Sequence, residues 1–339
     1  MIAGVVASNQ RVLPFFTTAT NINISGSSSN GTPSSLEYLN GEYVLLDSVQ
    51  KDVMTSSSML TGYTDVVTSD NTVGAGGWVT YENGRYFIYE NGTSAMDTAT
   101  TLGGVFTAVS IGDLGWFSPI RWFGPNSAWW AAGDDGNAQT GGGCLLRYST
   151  NGTTWTTVAT AQEPSTLRLL GLATDGTKLI VASEGTSTVA HIMKYTTSTN
   201  PASLTWTTIT SPFANNQDIG AIYYDSVKST WTCSSANSVF AYSTDGTTWT
   251  AKDIGFAANA FIRVVWVPWQ NRWVATQLRG ERQFAYSNTS DIGGTWTMGT
   301  QTTSTAAPKG FLTLTVDPKN RYIVASGTTS TNGHAVWSL

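Results

Sequence analysis

The chain has 339 residues, of which 12% are charged and 12% aromatic, and its formal net charge is −5. Such a chain has no basic field to hold a phosphate backbone, which argues against nucleic acid, and no run reaches the ~18 apolar residues of a membrane-inserting helix. Plentiful Gly, Ser, Thr and Asn beside 14 Trp favour strands joined by polar turns.

In chain order, Met1 to Ser8 lacks a basic n-region, and Asn9-Gln10-Arg11 interrupts its apolar run. The start does not read as a signal peptide. Arg11 to Thr17 reads as a strand, with Pro14 placing it at an edge. Residues 21–35 are rich in Ser, Thr, Asn and Gly and read as a surface connection.

From there a hairpin pattern recurs, two apolar runs around a tight polar turn. The runs are Leu36 to Leu46, Trp78 to Ile88, Ile120 to Ala131, Leu169 to Val181, Ile219 to Thr232, Ile262 to Ala275 and Leu312 to Ala325. Asn40-Gly41, Asn83-Gly84 and Asp175-Gly176 are dipeptides suited to the positive φ of two-residue turns. Each hairpin except the last is followed by a second motif ending in an aromatic residue: Tyr63, Phe106, Trp155, Trp206, Trp249 and Trp296. The best copies are Tyr148-Ser149-Thr150-Asn151-Gly152-Thr153-Thr154-Trp155 and Tyr242-Ser243-Thr244-Asp245-Gly246-Thr247-Thr248-Trp249. The aromatic anchors lie 43 to 51 residues apart, a spacing typical of propeller blades.

Hairpin plus motif gives four short strands per repeat. The reading is an all-β, seven-bladed β-propeller of four-stranded blades, one domain over residues 1–339, with blades beginning near 36, 78, 120, 169, 219, 261 and 311. The last repeat lacks a fourth strand, so residues 1–20 are expected to complete it and close the ring.

At Ser243-Thr244-Asp245-Gly246-Thr247-Thr248-Trp249 the chain resembles the Asp-box, or BNR, repeat of sialidase-like propellers, and also the propellers of bacteriophage virions. It is one residue shorter than the usual Ser-x-Asp-x-Gly-x-Thr-Trp, and Asn151 replaces Asp in the other copy. The resemblance implies that Ser149, Asn151, Gly152, Trp155, Trp206, Ser243, Asp245, Gly246, Trp249 and Trp296 are structural, in turns between outer strands. A short acceptor at 151 or 245 would bond local amides, glycine would relieve the turn, and the Trp155 and Trp249 rings would be largely buried between blades.

The residues do not assemble a catalytic set. The arginine cluster and Tyr-Glu pair of a sialidase cannot be composed, and Arg11-Val12-Leu13-Pro14 is one residue longer than that family's Arg-Ile-Pro signature. His191 and His334 stand in different repeats, which supports neither zinc nor a Ser-His-Asp arrangement. Asp134-Asp135 is an adjacent acidic pair in a Gly-rich loop that reads as a solvated turn ahead of a calcium site. Cys144 and Cys233 read as buried thiols. No catalytic residue, metal or cofactor is expected. A binding face would come from loop residues Trp116, Phe117, Asp134, Asp135, Arg279, Glu281 and Arg282.

The expectation is a non-enzymatic virion protein of a bacteriophage, in the tail, a fibre or a head decoration, assembled in the host cytoplasm. It would act as a rigid disc in many symmetric copies, contacting other virion proteins and a host-surface glycan. A lectin-like carbohydrate-binding propeller is the alternative, and a glycoside hydrolase or lyase ranks third.

Overall fold

The structure is a computed structural model and describes residues 20–21, 33–47, 52–58, 64–66, 78–89, 95–112, 118–134, 143–185, 190–214, 218–235, 237–256, 261–278, 284–299, 310–328 and 335–338. Among them there is no α-helix, only single 3-10 turns such as Gly124–Asn126 and Pro268–Gln270. No helix is therefore long and apolar enough to cross a membrane.

Strand β1 (Thr20–Asn21) precedes a series of antiparallel meanders. They are β2 to β5 (Pro33–Leu39, Glu42–Asp47, Asp52–Ser56, Thr64–Val66) and β6 to β9 (Trp78–Glu82, Arg85–Tyr89, Ala95–Ala99, Thr107–Ser110). Next come β10 to β13 (Arg121–Phe123, Ala128–Asp134, Cys144–Ser149, Thr156–Thr157) and β14 to β17 (Leu169–Thr174, Leu179–Ser183, Met193–Thr196, Thr207–Thr208). Then follow β18 to β21 (Ile219–Asp225, Thr230–Ser235, Val239–Ser243, Thr250–Asp253) and β22 to β25 (Phe261–Val267, Arg272–Leu278, Phe284–Ser287, Trp296–Met298). The last run is β26 to β28 (Gly310–Asp317, Tyr322–Thr328, Ala335–Ser338).

The chain is an all-β propeller, but the expectation of seven blades is corrected: the strands form six sheets, five of four strands and one of eight. The larger sheet arises where β23 and β26 meet in a single parallel pairing, Leu278 opposite Phe311, which fuses the last two runs. Sequence periodicity counts repeats and has no signal for a backbone bridge between two of them.

The N-terminal strand does pair with the C-terminal run, but through Thr20 opposite Val336 and Asn21 opposite Ala335. Asn21 therefore belongs to a strand rather than to the surface connection. The expected strand at Arg11 to Thr17 lies outside the described residues, as does Tyr63.

The hairpin turns follow from their residues. Asn40 and Gly41 (φ 50° and 92°) and Asn83 and Gly84 (φ 49° and 78°) are all left-handed, the conformation that matches strand twist. At Asp175-Gly176 only the glycine is left-handed (φ 86°). There the Asp175 carboxylate accepts the Thr177 and Lys178 amides, both at 2.7 Å, and holds the turn through a side chain.

First strands pack beside one another around an axis: β2 touches β6 and β26, and β18 touches β14 and β22. The core lies between sheets. Phe123, Trp130 and Leu146 of the third meet Leu169, Leu172 and Val181 of the fourth, and Ile180 and Ala182 of the fourth meet Trp231 and Cys233 of the fifth. Cys144 and Cys233 are free, buried thiols, and burial pushes Cys144 up to about 12.

The ring closes where β2 and β3 meet β26 and β27. Leu36, Tyr43, Leu45 and Met54 pack with Tyr322, and the Tyr43 hydroxyl donates to the buried Asp317 carboxylate. Asp317 also accepts from the Lys319 and Asn320 amides at 2.9 and 3.0 Å and from Asn320 Nδ2 at 2.7 Å. Burial alone would raise its pKa, but these donors, Tyr43 foremost, hold it below the ordinary value. Tyr43→Phe removes one donor from a buried carboxylate and is expected to cost about 1.5–3 kcal/mol in urea unfolding. Because the folded pKa is depressed, this contribution is present above the unfolded value near ~4 and lost as pH falls through the folded one. The deficit of Tyr43→Phe against the parent should therefore shrink in acid.

Candidate functional site

One side-chain pattern recurs in the inner hairpins. Tyr38 faces Tyr43, Tyr81 faces Tyr86, Trp122 faces Trp129, Tyr224 faces Trp231 and Trp266 faces Trp273, each directly across the strand pair. Their ring centroids are 4.5 to 5.3 Å apart. Such cross-strand pairs fix hairpin register, and alternation turns the preceding residue of the first strand to the opposite face. Those residues are Glu37, Thr80, Arg121, Tyr223 and Val265, with Thr315 at the same place before Val316. Arg263, two positions before Val265, shares its face.

Glu37, Arg121, Tyr223, Thr315 and Arg263 come together, whereas Val265 packs with Val267, Val274 and Leu314 between sheets. Arg263 Nη1 lies 3.3 Å from Glu37 Oε1, a bridge from β22 to β2 that spans the intervening β26. The guanidinium carbon sits 4.4 Å from the centroid of the Tyr223 ring. Thr315 hydrogen-bonds the Glu37 carboxyl, and Arg121 lies within electrostatic reach of it. Burial raises the Glu37 pKa, and Arg263, Thr315 and Arg121 offset it only in part. Burial disfavours the charged Arg263, but Glu37 and Tyr223 outweigh this and hold it protonated. Arg121 in turn is 3.0 Å from Glu82 Oε1, and Glu82 Oε2 accepts the Trp122 amide at 3.3 Å. Two buried polar atoms at these positions, Thr80 Oγ1 and Arg263 Nε, have no hydrogen-bond partner.

Sequence reasoning missed this cluster. Its signal was the residue before each hairpin aromatic, legible only once the register of the aromatic pairs is known. Two arginines lie there, Arg121 and Arg263, each matched by a carboxylate of the chain.

Of the expected loop-face residues, Trp116, Phe117, Asp135, Arg279, Glu281 and Arg282 lie outside the described residues. Asp134 ends β11 and is buried, so it is not a solvated turn residue. Its Oδ2 lies 3.8 Å from Arg168 Nη1, whose Nη2 is 2.6 Å from Glu184 Oε2, which ties the third sheet to the fourth. Among the described residues no group of three or more His, Cys, Asp or Glu side chains is placed to hold a metal ion. His191 Nε2 instead lies 2.6 Å from Ser211 Oγ.

The repeated turns sit between the third and fourth strands. Asn151 Oδ1 accepts the Thr153 and Thr154 amides at 2.9 and 2.8 Å, and Ser149 Oγ accepts the Gly152 amide at 2.8 Å. Asp245 Oδ1 accepts the Thr247 and Thr248 amides, both at 2.7 Å, and Ser243 Oγ accepts the Gly246 amide at 2.8 Å. The anchoring aromatics pack backward onto the preceding sheet. Phe106 meets Val44 and Val53, Trp155 meets Phe87, Trp296 meets Phe240, and Trp206 Nε1 donates to the Gln162 carbonyl at 2.8 Å. Trp155 packs against the core between the second and third sheets and Trp249 against that between the fourth and fifth, each ring only partly exposed.

With this geometry in place, the chain can be compared with known proteins. No family model matches it, and no curated protein matches its sequence. Solved structures share its fold. A streptogramin B lyase is 13% identical, with a TM-score of 0.65 over 94% of this chain and 96% of the lyase. YCF48 from Cyanidioschyzon merolae is 10% identical, with a TM-score of 0.60 over 94% and 98%. YCF48 bound to D1 peptide is 10% identical, with a TM-score of 0.62 over 96% and 98%. At such identities the likeness shows the propeller fold alone.

Two outcomes follow. Glu37→Gln leaves Arg263 charged and unpaired, which should cost about 3 kcal/mol in denaturant unfolding, whereas Glu37→Leu with Arg263→Met should recover most of the loss. At the rim, backbone amides hold the Asp245 carboxyl well below its usual range. Its contribution is present above the unfolded pKa and lost as pH falls through the folded one. Asp245→Asn, copying Asn151, should match the parent at neutral pH and lose less stability in acid.

Proposed function

We propose that the chain is a non-enzymatic structural protein of a bacteriophage particle, a tail, fibre or head-decoration component acting as a rigid protein–protein interaction disc. The observation supporting this most directly is the use of the interior charges. Arg121–Glu82 joins the second and third sheets, Arg263–Glu37 joins the two sides of the ring closure, and Arg168 bridges Asp134 and Glu184. These charges stiffen the disc.

The composition agrees, being charge-poor and rich in Ser, Thr, Gly and Asn, as do the box-like turns resembling those of phage virion propellers. Such a disc would be present in many copies, contacting other virion proteins and a host surface. That a propeller of this shape can hold a polypeptide is illustrated by the YCF48 structure with its D1 peptide.

Carbohydrate binding is the second reading. It is favoured by the recurrence of aromatic pairs at the hairpin turns, in which Tyr38, Tyr81, Trp122 and Tyr224 remain partly exposed. The lyase with this fold keeps an enzymatic role in third place.

Quantitative peptide mass spectrometry on purified particles tests the proposal. A fixed ratio to the major capsid protein, at many copies per particle, is the expected outcome. Absence from the particles would sink it and move glycan binding to first place.

A further inference from the structure

We infer that Asn83-Gly84, the inner-hairpin turn of the second sheet, is a site of spontaneous covalent modification, where the asparagine loses its side-chain nitrogen and becomes an aspartyl or isoaspartyl residue. This does not depend on the particle role. The Gly84 amide nitrogen, its proton taken by hydroxide, attacks Asn83 Cγ. The new C–N bond closes a five-membered imide, the bond from Cγ to Nδ2 breaks, and ammonia leaves with a proton from water. Water then opens either carbonyl of the imide, so the backbone continues through the α-carboxyl or through the side-chain carboxyl. Glycine favours the attack because it has no Cβ to crowd the approaching nitrogen.

Sequence alone does not separate Asn40, Asn83 and Asn151, each followed by glycine; their surroundings do. At Asn151 the side-chain oxygen is held by the Thr153 and Thr154 amides at 2.9 and 2.8 Å, and the Gly152 amide is given to Ser149 Oγ at 2.8 Å. Electrophile and nucleophile are thus both engaged elsewhere. The Asp245 and Asp175 turns are closed in the same way, with the Gly246 amide on Ser243 Oγ and the Gly176 amide on Thr174 Oγ1. The Asn40 side chain hydrogen-bonds the Tyr86 hydroxyl. Asn83 and Gly84 are both exposed, and among the described residues neither the Asn83 side chain nor the Gly84 amide is held by such a bond. The turn also lies between two anchored residues. Glu82 holds Arg121 and the Trp122 amide, its carbonyl accepts Trp129 Nε1 at 2.9 Å, and Arg85 Nη1 donates to Thr98 Oγ1 at 3.2 Å. Glu82 and Arg85 face each other across the strand pair. An isoaspartyl residue adds a backbone atom between them, so the two-residue turn no longer matches its strands and the join to the third sheet loosens.

The test incubates the full chain in mildly alkaline heavy-oxygen water, folded and in guanidinium chloride, and follows label uptake by tryptic peptide mass spectrometry. Cleavage after Arg85 and Arg147 places Asn83 and Asn151 in separate peptides. In the folded chain, position 83 should take up label at least about tenfold faster than position 151, equivalent to ~1.4 kcal/mol. In denaturant the two rates should converge, since both are Asn-Gly. Ser149→Ala, which frees the Gly152 amide, should speed the reaction at Asn151 in the folded chain. Should that variant fail to fold, the folded and denatured rates of the parent decide the matter. The isoaspartyl fraction, separated by anion exchange, should unfold at a lower temperature than unreacted chain. Equal rates at 83 and 151 in the folded chain, a faster reaction at 151, or none at 83 would overturn the site. An unchanged unfolding temperature of the isoaspartyl fraction would overturn the coupling to the third sheet.

Discussion

A sheet with two apolar faces cannot finish its own core, and the whole molecule depends on that constraint. In the third sheet, Phe123, Trp130 and Leu146 look forward to the fourth, while Trp129, Ala131 and Leu145 look back to the second. Each fully buried residue of this size contributes about 1.5–3 kcal/mol, and neither face can be left to water. A ring of sheets satisfies every face without leaving a terminal one. The backward packing of Phe106, Trp155 and Trp296 is the same requirement met at the rim, where the short fourth strands provide too little surface themselves.

Closing the ring brings polar residues to a place where water is scarce. Charges can be kept there only in pairs, so Glu37 and Arg263 bridge β2 and β22, and Arg121 and Glu82 bridge neighbouring sheets. The pairings therefore lock the sheets against one another. Asp317 does comparable work at the seam, gathering donors from its own turn and from Tyr43 of the first sheet. Among the described residues, Thr20 and Asn21 of β1 pair with β28, and side chains of β2 and β3 add to the closure.

What the sequence reveals depends on how local the cause is. Asn40-Gly41 and Asn83-Gly84 announce their hairpins because the turn geometry is set by the two residues themselves. The turns at Asn151 and Asp245 are legible for the same reason, since each short side chain accepts amides two and three positions on. The merging of two repeats through Leu278 and Phe311 is not legible, because it is a backbone contact between distant residues with no side-chain signature. The axial cluster fails to show for a related reason. Glu37 and Arg263 are separated by most of the chain, and nothing near either announces the other. Asp134 looks like a flexible-loop acid next to Gly133, yet β11 extends through it and delivers it to Arg168.

The contrast between rim and axis bears on where function resides. At the rim, equivalent positions repeat: Ser149 and Ser243, Gly152 and Gly246, Trp155 and Trp249. Each pair solves the same local problem, so one solution serves both turns. On the inner strands, equivalent positions hold Glu37, Thr80, Arg121, Tyr223, Val265 and Thr315, six side chains of five types. A plug needed only for packing would be served by one apolar type throughout, at lower cost than burying charge. Differentiation at positions that the fold treats as equivalent separates these inner-strand positions from the repetitive turns of the rim.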